Sequence, residues 1–197
     1  MKETIKCFCE NEIEVEFADE VDFTEEVISS ILDGTFQNIS CAACGTVLKP
    51  EFPTLFSDKT SGKTLYFLPE IERNAYFSGK KDAIKSDRIA IGYRELLEKI
   101  QIHKAFLDDR IIEMIKYFYL EKAPSELDLQ IYFSRREAES LYFHIHGLKP
   151  DEVGETGIGF SFYEKLEADI EKMVKTKPFD TFLSPPYVSI KKIYLED

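Results

Sequence analysis

The sequence predicts an α+β protein, in which a small β module with one inserted helix is followed by a helical unit with a β-hairpin. Three observations support this prediction. All four cysteines of the 197 residues lie in the first quarter of the chain, as two close pairs. The residues beside the first pair alternate between apolar and charged, as in a half-buried strand. Beyond residue 90, apolar residues recur mainly at helical spacing.

The β module begins with a strand that follows the first cysteine pair. Apolar residues alternate there with glutamates: Ile13, Val15 and Phe17 with Glu12, Glu14 and Glu16. This period of two predicts a strand with one buried and one solvated face.

A short helix is predicted between the two cysteine pairs. Asp22 followed by Glu25 is a capping signature, and Gly34 stands where a helix ends. The residues between them place an apolar stripe at helical spacing, formed by Val27, Ile28, Ile31 and Leu32. This helix accounts for the 31 residues that separate Cys9 from Cys41.

Two further strands are expected at residues 52–56 and 64–68, joined by a turn at 57–63 that is rich in Asp, Ser and Gly. After Pro69 the spacing of apolar residues changes from that of strands to that of helices. We therefore place a domain boundary between Pro69 and about residue 86. The prediction is a first domain at residues 1–69 and an α+β C-terminal unit at residues 70–197.

The C-terminal unit is predicted to begin with an antiparallel helix pair. The second helix would be capped by Asp108 and Asp109 and would end at Pro124. The apolar stripe of the first helix comprises Tyr93, Leu96, Leu97, Ile100, His103 and Leu107, and that of the second Ile111, Ile112, Ile115, Phe118 and Tyr119. His103 is therefore expected at the edge of the core.

A hairpin, a loop, a third helix and a tail complete the prediction. Residues 151–159 contain three glycines and are expected to form a loop. The tail, with Pro178, Pro185 and Pro186, is expected to run over the surface before a last strand near 188–193. The hairpin's apolar positions are Leu129, Ile131, Phe133, Leu141, Phe143 and Ile145, and those of the helix are Tyr163, Leu166, Ile170, Met173 and Val174.

The cysteine pairs have the spacing of zinc knuckles, in which two thiolates on one tight turn converge on a tetrahedral ion. The second pair, C-A-A-C-G, has the usual spacing, and Gly45 supplies the positive φ that such a turn favours. The first pair, C-F-C-E, is one residue shorter and lacks the glycine, so its turn must be tighter. The sequence predicts a zinc-ribbon-like module that holds structural zinc through Cys7, Cys9, Cys41 and Cys44.

Two other interpretations of the cysteines stay open beside the metal site. The thiols could be free or weakly metallated. A redox C-x-x-C pair is the least favoured, because Ala42 and Ala43 offer no charge that would lower a thiol pKa and no βαβ pattern surrounds them.

The order of motifs in residues 4–70 resembles the bacterial and archaeal CpXC domain family, which is named for two C-P-x-C-like motifs and has no assigned activity. The motifs are I-K-C-F-C-E, L-D-G, C-A-A-C-G, F-P-T-L-F-S-D and Y-F-L-P; L-L-E-K-I and L-D-D-R-I-I-E-M-I-K extend the likeness with less specificity. The resemblance implies that Cys7, Cys9, Cys41 and Cys44 are the family's cysteines. This chain has no proline after Cys7 or Cys41, and no catalytic residue is carried over.

A histidine pair is the other candidate site. His144 and His146 are two apart on a predicted strand and therefore project to the face that Tyr142 shares. Pairing apolar with apolar residues would put Asp128 near His146 and Gln130 near His144. Such a group could bind a metal or act as an acid–base unit, or the face could simply be solvated.

Composition narrows the classes of function. With 37 acidic against 25 basic residues, the net charge of −12 argues against nucleic-acid binding. Residues 1–14 hold no apolar stretch typical of a signal peptide, and no apolar run reaches the roughly 20 residues that cross a bilayer. We therefore expect a cytoplasmic protein with a structural or protein-interaction role and an unknown protein partner. The alternative is an enzyme or small-ligand binder with a site between its two halves, to which the histidine face contributes.

Overall fold

The computed structural model describes residues 1–80, 84–124 and 126–194, and it is a mixture of helices and several small sheets, which confirms the α+β class. The chain divides into two compact units, Met1–Leu97 and Glu98–Asp197. A domain boundary separates parts of the chain that fold independently. The boundary expected near Pro69 stays a prediction.

Two short hairpins carry the cysteines in the first unit. Strand β1 (Lys2–Lys6) pairs antiparallel with β2 (Glu12–Glu16), and β4 (Ile39–Ser40) pairs with β5 (Val47–Leu48). Helix α1 (Glu25–Leu32) lies between them in the sequence. Its N-cap is Thr24 and not Asp22, because Asp22 ends strand β3 (Glu20–Asp22). Gly34 follows the helix with a φ of +68°, as predicted.

A four-stranded sheet forms the rest of this unit, in the order β3-β6-β7-β8. The predicted hairpin is confirmed as β6 (Thr54–Ser57) and β7 (Thr64–Leu68), while β8 (Arg88–Ile91) lies parallel to β7. Strand β6 begins later than expected because the backbone N–H of Phe52 donates to the Gln37 side chain at 3.0 Å. The sheet's apolar residues are buried, among them Phe56, Leu65, Phe67, Leu68, Ile89 and Ile91.

The cysteine hairpins have only a small apolar cluster of their own. Its buried members are Val15, Phe17 and Phe52, and the rings of Phe17 and Phe52 stack at 4.2 Å between centroids. Ile5, Ile13 and Ile39 pack against this cluster and are only partly buried. A cluster of this size contributes little stability, so a cross-link between the hairpins would matter.

One carboxylate connects the second hairpin to the ends of the parallel strands. Glu51, which follows β5, accepts the N–H groups of Glu70 (2.6 Å) and Tyr93 (2.8 Å). Glu70 opens a 3₁₀ turn (Glu70–Glu72) that leads into α2 (Arg73–Phe77), and Tyr93 begins helix α3 (Tyr93–Lys104). Gly92 has a φ of +78°, and a Cβ there would lie 2.3 Å from Glu70 Oε2. Glycine is favoured at this turn, because any other residue would be strained at this φ and would displace the Glu70 side chain.

The second unit packs two helices on a three-stranded antiparallel sheet. Helices α4 (Asp109–Leu120) and α5 (Phe160–Met173) share one core with one face of the sheet. Asp108 is the N-cap of α4 and accepts the N–H of Arg110 at 2.9 Å, as predicted. His103 is exposed whereas Ile102 is buried, so its predicted place at the core edge is wrong. The sheet consists of β9 (Gln130–Glu137), β10 (Ser140–Lys149) and β11 (Glu152–Gly159).

Strand β11 occupies the segment predicted to be a loop, so that prediction is wrong. Its glycines make room for neighbouring side chains. A Cβ on Gly157 would lie 3.2 Å from the ring of Tyr142 on β10, and one on Gly154 would lie 2.7 Å from Leu148. Glycine inside a strand can mark such a close approach as well as a turn.

The tail prediction is also wrong. Residues Phe179, Phe182, Tyr187, Val188 and Ile190 are buried. The tail forms two short helices, α6 (Phe179–Phe182) and α7 (Lys191–Tyr194), and α7 begins within the segment expected to be a strand. The irregular backbone between them is bound by charged side chains. The N–H of Ile190 donates to Glu113 at 2.8 Å, and the carbonyl of Val188 accepts from Lys99 at 2.9 Å.

A buried charge network completes this unit. Lys116 Nζ donates to Glu98 at 2.9 Å and to Glu113 at 2.8 Å, and each of the three residues is less than 5% exposed. Burial alone would lower the pKa of Lys116, but the carboxylates of Glu113 and Glu98 outweigh it and raise that pKa. Burial raises the pKa of Glu98.

Candidate metal centre

The first cysteine pair lies on a tight turn between β1 and β2. The N–H of Cys7 donates to the carbonyl of Asn11, and the N–H of Glu10 donates to the carbonyl of Cys7, both at 2.9 Å. Glu10 has a φ of +68°, the left-handed conformation that glycine usually supplies. The turn is thus tight as predicted, and Glu10 takes the position of the missing glycine.

The second pair lies on an equivalent turn that is one residue longer. The N–H of Gly45 donates to the carbonyl of Cys41 at 2.8 Å, and the N–H of Cys41 donates to Thr46 at 2.9 Å. Gly45 has the predicted positive φ, +74°. Both turns place their two thiols on the same side.

The two turns bring all four sulfur atoms together. Cys7 Sγ lies 3.7 Å from Cys44 Sγ, and Cys9 Sγ lies 3.7 Å from Cys41 Sγ. All four Sγ atoms lie within 4.8 Å of one another, and no disulfide joins them. Four sulfurs around one ion at Zn–S bonds of about 2.3 Å are about 3.8 Å apart in an ideal tetrahedron. The cluster could therefore hold one metal ion with small adjustments.

Each close sulfur pair joins a buried and an exposed cysteine. Cys7 is 4% exposed and Cys41 1%, whereas Cys9 and Cys44 are exposed. Asn11 Nδ2 lies 3.8 Å from Cys41 Sγ, and the Thr46 hydroxyl lies 3.2 Å from Cys44 Sγ. Phe8, between the first two cysteines, is 91% exposed.

Without a cation the four thiols do not ionise alike. Hydrogen bonds from the Thr46 hydroxyl and backbone lower the pKa of Cys44 to about 6. The pKa of Cys9 rises to about 12: the Asn11 backbone N–H favours its thiolate, but thiol contacts, led by Cys44, and burial outweigh it. A positive ion beside the sulfurs would favour the thiolate form of all four groups.

Two side chains that contact sulfur, and one property of the surroundings, were not predicted from the sequence. Asn11 and Thr46, which contact sulfur, carry no signal beyond their adjacency to the cysteines. The property is visible in the sequence: residues 7–48 contain ten acidic side chains and no Lys or Arg. The centre therefore lies in a stretch of uniformly negative charge.

The histidine face differs from its prediction. The register places His146 opposite Gln130 and His144 opposite Tyr132, so the predicted pairing is wrong by two residues. A slip of two keeps the same residues facing the core, so alternation alone does not exclude it. A bulge between Tyr142 and Phe143 accompanies the observed register.

His144 does not form a catalytic relay. Its Nε2 atom lies 3.2 Å from the Ser134 hydroxyl and 3.7 Å from Glu155 Oε2, so both neighbours contact the same nitrogen. A relay uses one ring nitrogen for each partner. Arg135 donates to Glu155 and holds the pKa of that carboxyl below its ordinary value. Over residues 1–80, 84–124 and 126–194, the four cysteines alone form a group suited to a metal.

The helices that the structure describes include none with the length and apolar character needed to cross a bilayer.

An uncharacterized protein of Treponema pallidum (strain Nichols) is 24% identical over an alignment that covers 98% of each chain. No solved structure matches the chain. The sequence model of the CpXC protein family matches residues 5–116, more than half of the chain and including all four cysteines. The chain therefore belongs to the CpXC protein family.

Proposed function

We propose that Cys7, Cys9, Cys41 and Cys44 hold one structural zinc ion, which ties the β1–β2 hairpin to the β4–β5 hairpin. The observation that carries the proposal is the convergence of four sulfurs from two turns, with two cross-hairpin distances of 3.7 Å. Zinc would supply a fixed positive charge that keeps all four thiolates deprotonated.

Zinc suits this donor set better than other abundant cations. Four thiolates form a soft set, which disfavours magnesium and calcium, since these prefer oxygen ligands. Four protein ligands also close the coordination sphere, as in structural rather than catalytic zinc sites. The small apolar cluster beneath the hairpins supports a stabilising role for the ion.

The role in the cell that we propose is structural or protein-interacting, in the cytoplasm. Reduced cysteine pairs are typical of that compartment. The exposed Phe8 ring supports a protein contact at the first turn, because an isolated aromatic side chain in water gains free energy when a partner covers it. The acidic stretch around it favours a partner whose facing surface is basic.

Elemental analysis of the purified, reduced protein tests the zinc proposal. We expect one zinc per chain in the wild type and in Ala43→Ser, a matched control on the same turn. Cys44→Ser should lose most of the metal, because a site with three thiolates binds zinc more weakly. Wild-type protein that stays free of metal after zinc is offered would contradict the proposal, as would a Cys44→Ser variant that retains full occupancy.

A further inference from the structure

We propose that the cysteine cluster is also a peroxide-sensitive modification site, at which oxidation joins Cys7 to Cys44 and Cys9 to Cys41. The part of this inference that concerns the release of zinc rests on the proposed function. The disulfide pattern rests on the positions of the sulfurs alone.

A small oxidant reaches the solvent-exposed thiols first. Cys9 and Cys44 are exposed, and Cys7 and Cys41 are buried. A small oxidant in solution reaches exposed sulfurs before buried ones, so Cys9 and Cys44 are the entry points. One entry point lies on each hairpin.

We expect each exposed thiol to form a disulfide with the buried thiol that it contacts. Cys44 Sγ lies 3.7 Å from the buried Cys7 Sγ, and Cys9 Sγ lies 3.7 Å from the buried Cys41 Sγ. A disulfide requires about 2.05 Å between sulfurs, so each pair closes by a movement of under about 2 Å. Both contacts run between the hairpins, and a bond at either one keeps the hairpins joined.

The chemistry balances with hydrogen peroxide as the oxidant. The Cys44 thiolate attacks one peroxide oxygen, the O–O bond breaks, and hydroxide leaves a sulfenic acid on Cys44. The Cys7 thiolate then attacks that sulfur, the S–O bond breaks, and a second hydroxide leaves as the S–S bond forms. Two thiolates have lost two electrons and one peroxide has gained them. Cys9 and Cys41 react in the same way with a second peroxide.

We expect disulfide bonds to replace zinc as the cross-link between the two hairpins. Disulfides remove the thiolates that would hold zinc, so bound metal is released while the two hairpins stay linked. Reductant and zinc together should restore the starting state, because disulfide formation is reversible.

Disulfide mapping of full-length, zinc-loaded protein after peroxide treatment tests the pattern. A glutamate-specific protease separates the pairs, because cleavage after Glu3, Glu10, Glu26 and Glu51 leaves Cys7 and Cys9 in residues 4–10 and Cys41 and Cys44 in residues 27–51. Cross-hairpin bonds join these two peptides. Bonds within a pair leave them separate, each lighter by two hydrogens. Fragmentation of the joined peptides identifies which cysteines are bonded.

The same chain oxidised in denaturant is the matched control. An unfolded chain closes short loops more readily than long ones, so bonds within each pair should increase there. We expect joined peptides with Cys7–Cys44 and Cys9–Cys41 bonds from native protein, and loss of bound zinc measured with a chromogenic chelator.

Each other outcome overturns the inference. Native protein that forms mainly Cys41–Cys44 bonds, or that gives the same pattern as denatured protein, contradicts the assigned partners. Thiols that stay reduced while an unfolded control oxidises contradict the reactivity. Failure of the zinc proposal is distinguishable, because metal-free native protein should still form the cross-hairpin bonds without releasing zinc.

Discussion

At the scale of single residues, the left-handed conformation of Glu10 is the feature that separates the two cysteine turns. Glu10 and Gly45 occupy equivalent positions, each donating its N–H to the carbonyl of the first cysteine of its pair. Their φ angles are +68° and +74°. A residue with a Cβ is strained in this conformation by about 1–2 kcal/mol, and glycine is not.

We expect Glu10→Gly to stabilise the protein by about 0.5 kcal/mol, because relief of this strain exceeds the extra chain entropy of glycine. Gly45→Ala should destabilise it by about 1 kcal/mol, although a Cβ there would have no atom within 4 Å, since only the backbone is strained. Urea denaturation of zinc-loaded protein measures both.

The control is Glu12→Gly, on strand β2, where glycine has no strain to relieve and should destabilise by about 0.5–1 kcal/mol. Equal effects of glycine at positions 10 and 12 would show that the φ of Glu10 carries no strain.

Lys116 is the second residue whose surroundings give a quantitative expectation. Lys116→Met should destabilise the protein by about 3–5 kcal/mol, because Glu98 and Glu113 would be left buried with uncompensated charge. The raised folded-state pKa of Lys116 means that its contribution is fully present at neutral pH and is lost only as strongly alkaline pH deprotonates it. Denaturant unfolding at pH 7 measures the loss.

Lys104→Met is the matched control, since Lys104 is an exposed residue on α3 and should change stability by less than about 0.5 kcal/mol. Adding Glu98→Gln and Glu113→Gln to Lys116→Met should recover part of the loss. No recovery would mean that Lys116 acts through its packing and not through its charge.

At the scale of elements, the two hairpins differ in how much holds them. Strands β1 and β2 pair over five residues each, whereas β4 and β5 pair over two. The sheet of β6, β7 and β8 is supported by fully buried residues such as Phe56, Phe67 and Ile89. A metal link should therefore matter most for β4 and β5.

Hydrogen exchange resolved by segment should show this order. In Cys44→Ser, residues 39–48 should lose protection first and residues 2–16 next, while β7, α4 and α5 change little, because apo metal modules lose their main cross-link. Ala43→Ser should leave the pattern of the wild type. Unchanged protection of β4 and β5 in Cys44→Ser would mean that the apolar cluster alone holds the hairpin.

Helices and strands whose own residues follow one clear apolar pattern were predictable from the sequence. Strand β7 has the bounds that were predicted, and α4 and α5 follow their apolar stripes. Strand β11 was not predictable, because its glycines make room for Tyr142 and Leu148 on the neighbouring strand β10, a role that glycine spacing does not reveal. The buried tail was not predicted because Glu113 and Lys99, which are far from it in the sequence, supply its hydrogen bonds. No local pattern in the tail indicates these partners.

The cysteine cluster was predictable in its composition but not in its surroundings. Pair spacing was enough to propose that Cys7, Cys9, Cys41 and Cys44 meet, since each pair is confined to one turn. The role of Glu10 as the left-handed residue could not be read from the sequence, because glutamate has no preference for that conformation. The histidine register failed because two registers bury the same face.

At the scale of the whole molecule, charge makes a prediction about partners. The chain carries 37 acidic and 25 basic residues, and residues 7–48 contain ten of the acidic ones and no basic one. Nucleic-acid binding depends on Lys and Arg neutralising phosphates. We expect no shift of duplex DNA or single-stranded RNA in an electrophoretic assay at about 50 mM salt, the permissive end of the usual range.

A basic oligonucleotide-binding protein run in the same gel shows that the assay detects binding. Micromolar affinity that falls steeply with added salt would contradict the charge argument, because it would reveal a basic patch assembled from separate segments.

The outward position of Phe8 has a practical consequence for following the centre optically. The ring is 91% exposed, Phe8 lies between Cys7 and Cys9 in the sequence, and the chain contains no tryptophan. Phe8→Trp would thus introduce a single indole fluorophore on the residue between Cys7 and Cys9 without disturbing any buried packing. Its emission would report the filling of the centre in real time, with quenching by cobalt(II) as the readout, and no other residue would contribute to the tryptophan signal.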